Sequence, residues 1–175
     1  MPDDLLIIEC IPKCDNKEEG LILHGFLEMT SPKHVESLRV TSKSDLLEVL
    51  SDKLRLRKFE YVHISGHGDK INQVFITPKG VLRPDEFPFG CFKNKTVTLS
   101  ACELGRTDFI NEFIETTEAR RVIAPMNEIL FVDAAIWFVN FYYWSLNFEM
   151  QPKVAFNRTM NYLSGKASGA MGFWD

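Results

Sequence analysis

Two short strings carry residues that together could do covalent chemistry: Val-His-Ile-Ser-Gly-His-Gly at Val62–Gly68 and Thr-Leu-Ser-Ala-Cys-Glu at Thr98–Glu103. Each reads as a buried strand running out into small and polar residues. The first delivers an imidazole, His67, and the second a thiol, Cys102. A thiol is a strong nucleophile only as thiolate, and a nearby imidazole is the usual means of holding it so at neutral pH. The chemistry expected is acyl transfer at a peptide bond: Cys102 attacks the carbonyl and His67 protonates the leaving amine. The backbone N–H groups of Gly68 and Cys102 would receive the oxyanion. Glycine beside the imidazole lets the backbone approach closely, and the small Ser100-Ala101 pair leaves room around the thiol.

Other candidates are weighed against these two. His63, four residues before His67, has the spacing of a helical zinc pair, but Ile64 follows it, Gly66 and Gly68 interrupt, and the surrounding pattern is a strand. No metal or other cofactor is therefore expected, and His63 is placed under the site or near His67. Cys10, Cys14, Cys91 and Cys102 show no paired zinc spacing and too little cysteine for a disulfide scaffold. Alone, Cys102 reads as a small buried hydrophobe and His67 as a turn residue; their placement at matching strand ends is what favours function.

The elements that must position them follow from periodicity. Leu5–Pro12, His34–Val40, Phe59–Ser65, Lys95–Ala101 and Arg121–Ala124 read as strands, with a small hairpin at Val74–Thr77 and Val81–Leu82. Glu18–Met29, a helix capped near Ser42–Asp45 and ending near Lys58, Asp108–Glu118, Asp133–Phe148 and Lys153–Leu163 read as helices. Gly66–Gly68 reads as an irregular turn and Gly165–Asp175 as a tail. Strands alternating with helices predict an α/β fold: a mostly parallel central sheet with helices on both faces, whose ligands bind beyond the carboxyl ends of the strands. Both motifs sit at such ends.

Composition sets the remaining bounds. The 175 residues fit one domain, spanning 1–175, and the 45% apolar and 25% charged content is that of a globular chain. A net charge of -4 argues against a direct nucleic-acid surface. Ile129–Leu146 has the length of a membrane span, but Asp133 and Asn140 interrupt it, so a buried core helix and no membrane contact are expected. Met-Pro-Asp-Asp with the short apolar run after it does not read as a signal peptide, which together with the free thiols places the protein in the cytoplasm.

On these residues the chain resembles the caspase-like, clan CD cysteine peptidases, and within them the CHAT branch. The family pattern is an apolar strand ending in His-x-x-x-His-Gly, matched by His63–Gly68, then a strand ending Ser-Ala-Cys, matched by Ser100–Cys102. A helix follows, then a strand like Arg121-Val122-Ile123-Ala124, an Asp with small residues like Asp133-Ala134-Ala135, and an aromatic helix like Phe141-Tyr142-Tyr143. The likeness runs roughly from Phe59 to Tyr162. Where the family has tryptophan after the Val-Ile-Ala strand, this chain has Met126 and Asn127.

The resemblance implies a caspase-like three-layer sandwich and an endopeptidase whose dyad is His67 and Cys102, with Gly68 giving an oxyanion donor. It implies a protein or peptide substrate, a regulatory protein partner and, by analogy, a bacterial-type defence or signalling effector. Relatives that cleave after basic residues use acidic pocket groups; Asp133 and Glu103 are the candidates, Asp133 foremost. Only about 18 residues separate Cys102 from Arg121 and they read as helix, so control by a partner or by assembly is expected rather than by cleavage there. Two alternatives stay open: a catalytically idle caspase-like scaffold that binds a protein partner, and acyl transfer on non-peptide substrates.

Overall fold

In the computed structural model, which describes residues 3–105, 107–163 and 170–175, the chain alternates strands and helices. Strand β1 (Asp3–Glu9) leads to helix α1 (Glu19–Thr30), β2 (Val35–Arg39), α2 (Lys43–Ser51), the short α3 (Lys53–Leu56) and β3 (Phe59–Ser65). Three short strands follow, β4 (His67–Asp69), β5 (Val74–Thr77) and β6 (Gly80–Leu82). The second half runs β7 (Thr96–Ser100), α4 (Thr107–Thr117), β8 (Arg121–Pro125), α5 (Phe131–Tyr142), α6 (Pro152–Tyr162) and β9 (Met171–Trp174).

Six strands make the central sheet in the order β2-β1-β3-β7-β8-β9. The first five are parallel and β9 pairs antiparallel with β8. A parallel sheet is covered on both faces, so its strands are apolar on both, as Leu5, Leu6, Ile7 and Ile8, all fully buried, make plain. Alternation sends Leu6, Ile8, Val62, Ile64, Val97 and Leu99 to one face, against Leu46 and Leu50 of α2 and Phe109 and Phe113 of α4. Leu5, Ile7, Tyr61 and Ile123 go to the other, against Leu23 and Leu27 of α1, Trp137, Phe138 and Phe141 of α5 and Phe156 of α6. The result is three layers, the α/β arrangement with a mostly parallel sheet that the periodicity predicts.

Four local differences have physical reasons. The helix expected to reach Lys58 breaks at Asp52, whose carboxylate accepts from Arg55 N at 3.0 Å and so starts α3 anew. The helix expected to run to Phe148 stays regular only to Tyr142 and then widens into a π turn over Tyr143–Asn147. His67–Asp69 is an ordered strand, β4, the outer member of a three-stranded antiparallel sheet with β5 and β6, rather than an irregular turn. The expected tail holds β9, which closes the β8 edge through pairs such as Ala124 with Gly172; its residues 165–169 lie outside the described ones. Among the described residues no helix is long and apolar enough to cross a membrane.

Candidate active site

The chain leaves β1 for β2 on one side and leaves β3 for β7 on the other, so the strand order reverses between β1 and β3, and a crevice opens beyond the carboxyl ends at that switch point. A cleft of about 70 Å³ occupies this position. Ile11 and Lys17 come to it from the loop after β1, Glu19 from the first turn of α1, Gly66 and His67 from the end of β3. Ser100, Ala101 and Cys102 come from the end of β7, and Ile129, Phe131 and Ala134 from the approach to α5. The two residues singled out by type, His67 and Cys102, therefore share one cleft.

Backbone contacts hold the two strand ends together. Gly66 N donates to Ser100 O at 3.0 Å, extending the β3–β7 pairing one residue further. One step on, Gly68 is packed directly against the Cys102 carbonyl oxygen and Leu104; a Cβ there would overlap the oxygen and lie 2.8 Å from Leu104 Cγ. Glycine at 68 is thus a requirement of close approach between β4 and the thiol loop.

The side chains are parked apart. His67 Nε2 lies 2.7 Å from Asp15 Oδ2. That hydrogen bond is the main reason the Asp15 carboxyl sits below the ordinary carboxylate value. Cys102, half-buried, donates its S–H to Ile129 O at 3.4 Å, and no hydrogen bond joins His67 to Cys102. With Nε2 on Asp15, the other ring nitrogen is the one left to exchange a proton with a substrate or thiol. Asp15 belongs to a 3₁₀ turn at Lys13–Asp15 in the loop after β1.

The other expected site residues lie elsewhere. Asp133 sits in the first turn of α5 and Glu103 just past Cys102, and neither lines the cleft. Glu103 has left-handed backbone, φ 61°, and pairs with Lys70 at 2.8 Å. His63 is fully buried beneath the cleft, edge-on to Phe138 at 4.8 Å between ring centres.

Under the cleft runs a buried polar spine that reading by motif missed. Tyr142 Oη lies 2.6 Å from Thr98 Oγ1, which is 2.7 Å from His63 Nδ1. Burial pushes the Tyr142 hydroxyl well above its usual pKa, so it keeps its proton. The Thr98 hydroxyl thus bridges Tyr142 and His63 Nδ1, and His63 Nε2 faces Glu19 Oε1 at 3.2 Å, off the line of a well-aligned hydrogen bond. Ser100 Oγ donates to the other Glu19 oxygen at 2.8 Å. Beside it, buried Glu9 accepts from Gly20 N at 2.6 Å and from Ser65 Oγ at 2.8 Å, capping the start of α1.

The signal for this spine is present in the sequence. Thr96, Thr98 and Ser100 recur every second residue in an otherwise apolar strand, as do His63 and Ser65 in β3, which marks a polar row on one buried face. Applying the strand-end rule to β1 as well as to β3 and β7 points to the segment that carries Asp15 and Glu19, without singling them out among its carboxylates. Among the described residues, no three His, Cys, Asp or Glu side chains converge so as to hold a metal ion. Compared with models of known protein families and with curated proteins, the sequence finds no match.

Proposed function

We propose that this protein is a cysteine endopeptidase of the caspase-like, CHAT type, acting through His67 and Cys102. The observation that carries this reading is the shared cleft at the carboxyl ends of neighbouring strands β3 and β7, which an imidazole and a half-buried thiol both line beside closely packed glycine backbone. In the reaction, the Cys102 thiolate adds to the scissile carbonyl. His67, carrying the thiol proton, gives it to the leaving amine, and water then hydrolyses the thioester with His67 as base. The N–H groups of Gly68 and Cys102 receive the oxyanion. Asp15 is a positioning residue: its carboxylate holds Nε2 and stabilises the imidazolium, the part an acidic residue plays in other hydrolytic triads.

The separated dyad is the resting form. Cys102 Sγ rests on Ile129 O, so activity requires the thiol to leave that carbonyl and turn toward His67, a rearrangement a regulatory protein partner would drive. α4 occupies most of the segment between Cys102 and β8, which leaves little loop for activation by cleavage there. Neither Asp133 nor Glu103 lines the cleft, and its one lining carboxylate, Glu19, is 1% exposed and held by Ser100, while Lys17 lines the same space, so the basic P1 preference loses its acidic pocket. The same separation of imidazole and thiol favours, as second reading, an idle scaffold that binds a protein partner.

Peptidyl acyloxymethyl ketones with Arg, Lys, Leu or Asp at P1 test the proposal on wild-type protein and on Cys102→Ala and His67→Ala. Labelling that needs both residues supports the peptidase. Labelling of Cys102 that persists in His67→Ala, or none with any probe even when candidate partner proteins are added, leaves the scaffold.

A further inference from the structure

On the outer surface of the sandwich, α1 and α5 leave an apolar groove between them of about 340 Å³, several times the volume of the cleft. Ile22, Phe26, Phe131, Val132, Ile136 and Val139 line it. Ile22, Val132 and Ile136 are 50%, 56% and 47% exposed, an amount of apolar surface on two adjacent helices that calls for an occupant. We infer that this groove docks the apolar flank of the polypeptide whose scissile bond lies at Cys102, an inference that rests on the peptidase reading.

Continuity with the cleft decides the occupant. Phe131 lines both spaces. On α1, Glu19 lies in the cleft and Ile22, one turn later, in the groove; on α5, Ala134 lies in the cleft and its neighbour Ala135 in the groove. The groove therefore starts where the cleft ends. From Val132 to Val139 a helix rises about 10 Å, the span of roughly three residues of an extended peptide. A track of that length fits one strand of substrate. No charged side chain lines it, and Asn140 supplies its polar contribution. The ligand is accordingly an extended segment with two or three aliphatic or aromatic residues beside the residue whose scissile bond enters the cleft.

Fluorescence anisotropy with Cys102→Ala protein, which binds without turnover, tests this. The probes are fluorescein-labelled peptides with Phe-Leu-Phe placed before or after a single Lys, and counterparts with Ser-Ser-Ser in its place. Phe-Leu-Phe in one of the two orders should bind roughly tenfold more tightly than its serine counterpart, the effect of burying about one large apolar side chain. In Ile136→Asp on the Cys102→Ala background the preference should vanish with the melting temperature kept, since Ile136 is half-exposed. Equal binding of apolar and serine peptides, or a preference that survives Ile136→Asp, would overturn the inference. So would a dimer seen by light scattering and dissolved by Ile136→Asp, which would give the groove to a second copy. Failure of the peptidase reading is seen separately, as absent ketone labelling of wild-type Cys102 even with candidate partner proteins added.

Discussion

Replacing Gly68 with alanine puts one methyl group where the backbone of the thiol loop already is. The new Cβ would overlap the Cys102 carbonyl oxygen and lie 2.8 Å and 3.1 Å from Leu104 Cγ and Cδ2. Neither side can yield cheaply: Leu104 is 1% exposed in the core, and β4 is held from behind by pairing of Gly68 with Phe75. Relief requires β4 and the Cys102 loop to separate by on the order of 1 Å, a displacement that costs about a hundredfold in rate when it falls on reacting groups. Overpacking at such a site costs about 1–3 kcal/mol, which for a chain of this length lowers the melting temperature by roughly 3–9 °C. The assay is the second-order rate of Cys102 labelling by the most reactive ketone probe, with calorimetry alongside. Iodoacetamide modification of exposed Cys14 serves as the control for general thiol access. Wild-type labelling and an unchanged melting temperature in Gly68→Ala would refute the claim that close backbone approach sets the dyad geometry.

The four thiols should react in two classes: burial pushes Cys91 up to about 12 and Cys10 well above its ordinary value, so mass spectrometry after iodoacetamide at pH 8 should find Cys14 and Cys102 modified and the other two intact. The Asp15 carboxyl is depressed by its bond to His67, so its contribution is fully present above the ordinary carboxylate pKa and is lost as pH falls through the lower folded value. Imidazole NMR shifts of His67 should therefore show one acid step below that range, absent in Asp15→Asn; an unchanged step would break the assignment. Thr98→Val strands the Tyr142 hydroxyl and His63 Nδ1 in the core and should cost about 2–4 kcal/mol in urea denaturation, with Thr98→Val/Tyr142→Phe recovering part of it. A neutral Thr98→Val would mean that the spine is not hydrogen-bonded as described.

The central strands were legible because each carries a dense run of apolar residues, broken in β3 and β7 by a polar row on one face only, a pattern local enough to read along the chain. Helix ends were less so. Asp52 looks like one more polar residue on a helix face, and only its bond to Arg55 N makes it a break. β9 has no alternation to advertise it: Met171 to Trp174 becomes a strand because β8 offers an unpaired edge, which is a tertiary fact. In the site, His67 and Cys102 could be paired because each ends a recognisable strand, and Gly68 because it adjoins one. Asp15 and Glu19 could not be ranked above the chain's other carboxylates, since what distinguishes them is where the loop after β1 turns. Asp133 was plausible for the opposite reason: it is near the site along the chain, but α5 presents Phe131 and Ala134 to the cleft instead.

The polar spine also acts on which fold the chain can adopt. β3 carries Tyr61, His63 and Ser65 on one face and Val62 and Ile64 on the other, and β7 alternates in step, with Thr98 opposite His63 and Ser100 opposite Ser65. Sliding either strand by one residue would turn every side chain over. The polar pair of the strand that slid, His63 and Ser65 or Thr98 and Ser100, would then face the phenylalanines of α4, each buried hydroxyl or imidazole losing its partner at about 1–3 kcal/mol. An all-apolar sheet would tolerate that slip, because Val, Ile and Leu are interchangeable between the faces. The spine therefore works as a lock on strand alignment, and the aligned strand ends are what bring His67 and Cys102 to one cleft.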